Sequence, residues 1–231
     1  MSIYYKIQSK LRLPIPIFIK KYFKKYYGKN LLDKKIKNYL NYDNGYFVEL
    51  GAYDGITQSN TFYFEKKKNW EGILIEPSKK NFKECVKNRS SKNKYYNNAC
   101  VSFDYKKKNI ELVYSGLKTF SKKFLTIKLQ SEYFMKPEIK RGENIFYFKA
   151  KTMTMNSILI KSKAPKLIDL LSLDTEGAEF EVLKGVNFKE FNFRFILVET
   201  NYIKKMKDFL KKKKYKYIKK FNENDYLFKL N

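Results

Sequence analysis

The sequence predicts an α/β fold with a doubly wound, mostly parallel sheet and a C-terminal antiparallel hairpin. Short apolar runs that suit buried strands alternate with segments of helical periodicity, which is the order expected of parallel βαβ units. The tail YKYIKKFNENDYLFKL instead has two alternating runs on either side of residues 222–224, as a hairpin does. Such a hairpin would add antiparallel strands at one edge of the sheet.

In the first half of the chain, helices and strands are predicted in alternation. Apolar residues at helical spacing favour a first helix, and the apolar run YFVEL favours the strand after it. Pro77 ends the second strand, and Ser78 is suited to cap the next helix, one face of which would carry Phe82, Cys85, Val86 and Arg89. The predicted elements are helix 31–41, strand 46–50, helix 57–68, strand 72–76, the helix after Ser78 and strand 94–101.

The middle of the chain, residues 102–150, has mixed short strand signals around a polar stretch, and we expect it to form an insertion or a lid. After it, Thr154 is suited to cap a helix that runs through Ile160, and Gly185 lies near the end of another helix. The remaining predicted elements are strand 167–174, helix 178–186, strand 193–199 and helix 202–213. We expect residues 1–30 to form a basic arm and residues 31–231 to form one domain.

Composition excludes several kinds of site. The 231-residue chain has a net charge of +27 and no histidine, which removes the commonest general base and metal ligand. The charge favours either a polyanionic partner or a genome rich in A/T codons, and only four of the 50 basic residues are arginine, the residue suited to bidentate phosphate recognition. Two cysteines, Cys85 and Cys100, are too few for a zinc site or a disulfide framework, so we expect reduced thiols and a cytoplasmic location.

No membrane span or signal peptide is expected. The most apolar early stretch, residues 11–19, contains Pro14 and Pro16 and is far shorter than the ~20 residues that a span needs. It also lacks a small-residue cleavage site. The basic arm could contact a membrane surface peripherally, and the oligomeric state is open.

Four predicted strands carry a carboxylate at or near their carboxyl end: Glu49, Glu76, Asp174 and Glu199. Ligands of open α/β sheets bind beyond the carboxyl ends of the strands, so we expect these acids to converge on one crevice. A carboxylate within a buried strand also needs a partner, because an unpaired buried charge is costly.

The loop after the first predicted strand, GAYDG, is typical of a ligand-binding turn. Gly51 would permit a tight turn and a close ligand, and a helix beginning near Thr57 would direct free N–H groups at it. Glu76 follows 25 residues later, where an acid can accept hydrogen bonds from both ribose hydroxyls. The G-x-G-x-x-G and P-loop patterns are absent, so the layout favours an adenosine-containing ligand over a dinucleotide or a triphosphate.

These motifs together resemble the FkbM-type methyltransferases, which are S-adenosylmethionine-dependent enzymes with a Rossmann-like class I fold. The resemblance covers roughly residues 44–200 and rests on FVELGAYDGITQSNTFYFE, GILIEPSKKNFKECVKNR, NNAC, LSLDTEGAEFEVLKGV and ILVET, in that order. Two departures are modest: Glu49 stands where the family also often has aspartate, and Tyr53 stands where a smaller or polar residue is frequent.

The resemblance implies a role for each matching residue. Gly51 and Gly55 would shape the loop around the methionine part of S-adenosylmethionine, with Glu49 and Asp54 beside its ammonium. Glu76 would take the ribose hydroxyls, and Ala99 would lie near the adenine. The implied cofactor-binding residues are Glu49, Gly51, Ala52, Asp54, Gly55, Glu76, Pro77 and Ala99, and the implied catalytic residues are Asp174, Glu176 and Glu199.

The chemistry is expected to be an in-line displacement, with a carboxylate as the base because histidine is absent. Alternatively, Asp174, Glu176 and Glu199 could jointly hold one Mg²⁺. The fourth strand ends in SLDTEG, without the Asn/Asp-Pro-Pro-aromatic signature of enzymes that methylate amino groups of nucleic acids. We therefore expect O-methylation of a sugar, a glycan or a related small molecule. A nucleic-acid-directed methyltransferase and a non-catalytic interaction module are the alternatives.

Overall fold

A computed structural model describes residues 24–115, 118–124 and 145–231. Most of the predicted basic arm and most of the polar stretch in the middle of the chain lie outside these ranges. The strands are β1 Tyr46–Leu50, β2 Glu71–Ile75, β3 Lys94–Tyr96, β4 Ala99–Val101, β5 Asn109–Ser115, β6 Lys118–Phe120, β7 Phe146–Thr154, β8 Leu167–Leu173, β9 Asn192–Glu199, β10 Tyr215–Lys220 and β11 Asp225–Leu230. The α-helices are α1 Leu32–Lys37, α2 Phe62–Lys68, α3 Lys79–Asn88, α4 Met155–Lys161, α5 Glu179–Lys184 and α6 Ile203–Lys211.

The main sheet has seven strands in the order β10-β11-β9-β8-β1-β2-β3. Strands β9, β8, β1, β2 and β3 are parallel to one another, whereas β11 is antiparallel to both β9 and β10. The predicted α/β fold with its C-terminal hairpin is thereby confirmed. Because parallel strands end at the same edge, the ends of β1, β2, β8 and β9 share one side of the molecule.

Both faces of this sheet are covered, as in a doubly wound fold. Val48 of β1 packs in a cluster that contains side chains of α4, α5 and α6. Its neighbour Phe47 points to the opposite face, where the cluster contains side chains of α1, α2 and α3. Strands that are buried on both faces read as continuous apolar runs, which is why the sequence located them well.

The run KYYNNACV, predicted as one strand, is instead two. β3 pairs with β2 in the main sheet, whereas β4 pairs with β7 in a second, four-stranded sheet of order β4-β7-β5-β6. Asn97 stabilises the turn between β3 and β4, since its Nδ2 donates to the carbonyls of Glu76 (2.8 Å) and Pro77 (3.0 Å). A turn fixed by a side-chain amide leaves no mark in the hydrophobic pattern, which explains the error.

Two predicted helix caps are confirmed, and one predicted helix start is wrong. Ser78 accepts a hydrogen bond from the N–H of Asn81, and Thr154 accepts one from Ser157. The helix expected from residue 57 begins only at Phe62. Of the residues expected on one face of α3, Cys85 is buried, as is Arg89 directly after that helix, but Val86 is 41% exposed. None of the helices in the described ranges is both long enough and apolar enough to cross a membrane.

Candidate active site

A cavity of about 740 Å³, counting its open mouth, lies between the carboxyl edge of the main sheet and the second sheet. The loops after β1, β2 and β8 form one wall, and β4, β5 and β6 contribute to the other. Clefts at the carboxyl edge of an α/β sheet are common small-molecule sites. We call it the first cavity, and the predicted site residues in its wall are Gly51, Glu76, Pro77, Ala99, Asp174 and Glu176.

Glu76 follows β2 and is 4% exposed. Its Oε2 accepts a hydrogen bond from the backbone N–H of Tyr53 (2.9 Å), and its Oε1 accepts one from that of Ser78 (2.8 Å). Burial raises the pKa of Glu76 to about 7, although these two N–H groups act to lower it. The side chain is therefore held in one orientation at the cavity wall, with lone pairs left for a ligand.

Gly51 connects β1 to this wall with a φ of +75°, in the left-handed region. A Cβ built on it would lie 2.1 Å from the carbonyl oxygen of Asp174. Only glycine fits here, because a side chain would separate the ends of β1 and β8. The group that comes close to Gly51 is thus the backbone carbonyl of Asp174, at the end of the neighbouring strand, where a ligand was predicted.

Asp174 follows β8 and has a buried Oδ1 with no hydrogen-bond partner among the described residues. Burial raises the pKa of Asp174 well above its ordinary value, and the nearby Glu199 and Glu176 raise it further. A buried acceptor without a donor costs free energy, so a ligand that supplies a donor is expected here.

Glu176 also lies in the cavity wall, with a φ of +50°. Its carboxylate is paired with the ammonium of Lys118, which comes from β6. Burial acts to lower the pKa of Lys118, but Glu176, Asp174 and Glu199 together raise it. Sequence reasoning missed Lys118, because it belongs to the middle segment whose pairing the pattern did not show.

A second cavity lies on the other side of Asp174 and shares Gly51, Tyr53 and Asp174 with the first. Its empty volume is about 530 Å³, and its walls include Lys29, Asn60, Glu199 and Asp225. Asn60 Nδ2 donates to Ser172 Oγ (3.1 Å), but its buried Oδ1 has no partner among the described residues. Asn60 was missed as a site residue, although it stands in the quoted motif QSNT.

Glu49 and Asp54 do not line either cavity, so their expected position beside a cofactor ammonium, directly or through water, stays a prediction. Glu49 is 4% exposed, and its carboxylate accepts hydrogen bonds from Ser59 Oγ, the N–H of Asn60 and Thr61 Oγ1. Asp54 Oδ1 accepts from the N–H groups of residues 56 and 57. Gln58 has a φ of +60°, outside the right-handed helical region, so the loop stays irregular until the helix begins at Phe62.

Arg89 supplies the charge that Glu49 requires. Its Nη1 lies 3.2 Å from Glu49 Oε2, and its Nε lies 2.8 Å from Glu65 Oε2. Nη1 also donates to the carbonyl of Gly55 (3.0 Å), so the buried network holds the loop after β1. Burial acts to lower the pKa of Arg89, but the two carboxylates raise it above its ordinary value.

Ala52 and Gly55, two other residues expected to bind the cofactor, also belong to the packing that holds the loop after β1. Ala52 is 3% exposed within the core, and neither residue lines a cavity. Gly55 has a φ of +82°, and a Cβ there would lie 2.7 Å from Arg89 Cγ. Its lack of a side chain therefore makes room for the guanidinium stem.

Asp174, Glu176 and Glu199 do not gather into a metal site. Glu199 lines only the second cavity and Glu176 only the first, where it is paired with Lys118. Within residues 24–115, 118–124 and 145–231, no group of three acids, cysteines or histidines could hold a metal ion. The alternative of a jointly held Mg²⁺ therefore has no support in the arrangement of these acids.

Comparison with solved structures found low-identity matches. A candidate RNA methyltransferase from Pyrococcus horikoshii is 11% identical, with 86% of this chain and 79% of that chain covered and a TM-score of 0.41. The fibrillarin/Nop5p complex contains a chain that is 14% identical, with coverage of 80% and 71% and a TM-score of 0.37. A precorrin-6y C5,15-methyltransferase from Geobacter metallireducens is 10% identical, with coverage of 86% and 87% and a TM-score of 0.41.

No curated protein matches the sequence. The family model of the methyltransferase FkbM domain matches residues 49–217, which is well over half of the chain. The matched range begins at the carboxylate of β1 and contains the three acids of the first cavity, Glu76, Asp174 and Glu176. The chain therefore belongs to the FkbM methyltransferase family.

Proposed function

We propose that the protein transfers a methyl group from S-adenosylmethionine to a hydroxyl of a sugar, a glycan or a related small molecule. Family membership supports methyl transfer. The observation that carries the choice of donor is the pair of cavities that meet at Asp174, one with a fixed carboxylate at Glu76 and the other with unpaired acceptors. An elongated, cationic ligand that contains a ribose suits both cavities.

The first cavity suits the adenosine half of the donor. Glu76 is held by two backbone N–H groups and can accept hydrogen bonds from the two ribose hydroxyls. Ile110, Leu112 and Phe120 of the second sheet give an apolar wall against which an adenine ring can pack. Pro77 and Ala99 lie in the same cavity, and the proposal keeps Ala99 near the adenine.

The second cavity suits the amino-acid half of the donor. Asn60 Oδ1 needs a hydrogen-bond donor, which an ammonium group supplies, and Glu199 and Asp225 add negative potential. Lys29 lies in the same cavity and can meet a carboxylate. The protein thus offers both charges that a zwitterionic group requires, within a chain whose net charge is strongly positive.

Asp174 is the proposed base. When bound, S-adenosylmethionine supplies a methyl group that its sulfonium already activates, so the protein mainly has to align the acceptor hydroxyl and remove its proton. Asp174 is the one predicted catalytic acid in the walls of both cavities, and its Oδ1 is unpaired among the described residues. Glu176, paired with Lys118, is better suited to orient the acceptor than to take a proton.

Binding of the donor should stabilise the protein. S-adenosylmethionine at about 100 times its dissociation constant should raise the free energy of unfolding by about 2.7 kcal/mol, because it binds only the folded state. Thermal unfolding with S-adenosylmethionine, S-adenosylhomocysteine and NAD measures this, and we expect a shift with the first two only. If neither of them shifts the transition, the proposed donor is wrong.

Replacing Glu76 with Ala should weaken S-adenosylmethionine binding at least ten-fold. The substitution removes charge-assisted hydrogen bonds worth about 1.5–3 kcal/mol to the ligand. Titration calorimetry at pH 8, where Glu76 is ionised, measures the change. Glu71→Ala is the matched control, because Glu71 is exposed at the opposite end of β2. Equal affinity of the wild type and Glu76→Ala would mean that the ribose binds elsewhere.

A further inference from the structure

A basic groove lies on the second sheet beside the first cavity. Five lysines line it, together with Tyr105, Tyr147 and a single acid, Glu111. The lysines are Lys107, Lys108, Lys122, Lys123 and Lys149. Such a density of one charge sign in a concave surface concentrates anions there.

The groove adjoins the proposed active site. Ile110 and Ser121 line both the groove and the first cavity. The short strand β6 also extends from the cavity to the groove. Lys118 at its start is paired with Glu176, and the turn after its end carries Lys122 and Lys123. A ligand in the groove would therefore lie beside the first cavity, whose wall carries the acids at which methyl transfer is proposed.

Most of the lysines in the groove have no ion-pair partner within the part of the chain that the structure describes. Lys107, Lys108, Lys123 and Lys149 make no ion pair with any described residue, although Lys149 stands opposite Glu111 in the pairing of β7 with β5. Keeping several like charges together disfavours folding, and an anionic ligand would relieve the repulsion.

The tyrosines of the groove distinguish between kinds of anion. Lys123 Nζ lies 4.7 Å from the ring centre of Tyr105, and Lys122 Nζ lies 4.8 Å from that of Tyr147. Single-stranded nucleic acids bind by stacking their bases on free aromatic faces, and here a lysine covers a face of each ring. Among the described residues that line the groove there is also no arginine, the residue best suited to bidentate contacts with phosphate. Ammonium groups beside tyrosine hydroxyls suit isolated carboxylates and hydroxyls.

We infer that this groove binds an anionic glycan and that the methyl acceptor is a sugar of such a chain. The inference rests on the proposed function, because it names the class of acceptor that reaches Asp174. The acidic units of the glycan would lie along the lysines, and the acceptor hydroxyl would enter past Ser121 and Lys118. The sequence left two explanations for the net charge of +27: codon bias and a polyanionic partner. Binding of an anionic glycan in this groove would account for part of that charge.

The test measures binding of labelled hexasaccharides by fluorescence anisotropy in 50 and 200 mM salt. A polygalacturonate hexasaccharide carries carboxylates, and a dextran hexasaccharide of equal length is neutral. The groove variant is Lys108→Gln with Lys123→Gln, and the matched control is Lys204→Gln with Lys211→Gln on α6, which gives the same net charge. We expect the groove variant to lose polygalacturonate affinity at least ten-fold and the control less than two-fold, with weaker binding of every protein at the higher salt.

Three results would overturn the inference. Equal losses in the two double variants would mean that only the overall charge attracts the probe. Equal affinity for dextran would mean that charge is not what the groove recognises. Tighter binding of an oligothymidylate of matched charge would assign the groove to a nucleic acid. Thermal shifts with S-adenosylmethionine test the proposed function separately, and the groove variant should retain them in full.

Discussion

Asp174→Asn should lower the turnover of methyl transfer by about 10²–10⁴-fold, the usual contribution of a general base. Asparagine has nearly the same shape as aspartate but cannot accept the hydroxyl proton. The affinity for S-adenosylmethionine should change only a few-fold, since Glu76 and Asn60 remain in place. Single-turnover rates with an acidic glycan acceptor and calorimetric titration of the donor measure the two effects separately.

The matched control is Asp208→Asn, because Asp208 is exposed on α6 and lines neither cavity. That variant should keep the wild-type turnover and donor affinity. The opposite pattern for Asp174→Asn, with donor binding lost and turnover at saturating donor retained, would assign Asp174 to the ammonium of the donor and leave the base unidentified.

The pH profile gives an independent check on the same residue. A base must be ionised, and the pKa of Asp174 in the free enzyme lies well above the ordinary 3.8, because of burial and then of Glu199 and Glu176. The wild-type kcat/KM should therefore rise with pH through this raised pKa, and the rise should be missing from the residual activity of Asp174→Asn. A wild-type profile that stays flat over the whole pH range in which the protein is folded would contradict the assignment.

Arg89→Met should destabilise the protein by about 3–5 kcal/mol, the usual cost of removing one partner from a buried ion pair. Methionine fills much of the space of the stem, but Glu49 and Glu65 lose their shared cation in the interior. Urea unfolding at pH 7 measures the change. Lys87→Met is the matched control on the same helix, since Lys87 is exposed there, and it should change stability by no more than about 0.5 kcal/mol.

A second substitution distinguishes charge from packing at this position. Adding Glu49→Gln and Glu65→Gln to Arg89→Met removes the uncompensated charges, so the triple variant should recover part of the lost stability. If the triple variant is less stable than Arg89→Met alone, hydrogen bonding and packing hold the loop, and the ion pairs contribute little.

The sequence by itself determined the main sheet and the family. Strands buried on both faces must be apolar throughout, so β1, β2, β8 and β9 could be located within about one residue. The caps at Ser78 and Thr154 could be predicted because a cap needs only a short polar side chain at a local position. Glu76 and Asp174 could be placed at one crevice because parallel strands share an edge.

Only the tertiary structure decided what each acid does. Glu49 and Asp174 look alike in the sequence, each at the end of an apolar run. Glu49 meets Arg89, which follows α3, whereas Oδ1 of Asp174 meets no donor among the described residues. The division of KYYNNACV between two sheets and the pairing of Lys118 with Glu176 likewise depend on contacts between distant segments. Hydrophobic periodicity records which side of an element is buried, whereas the partner of a buried charge depends on which segments pack together.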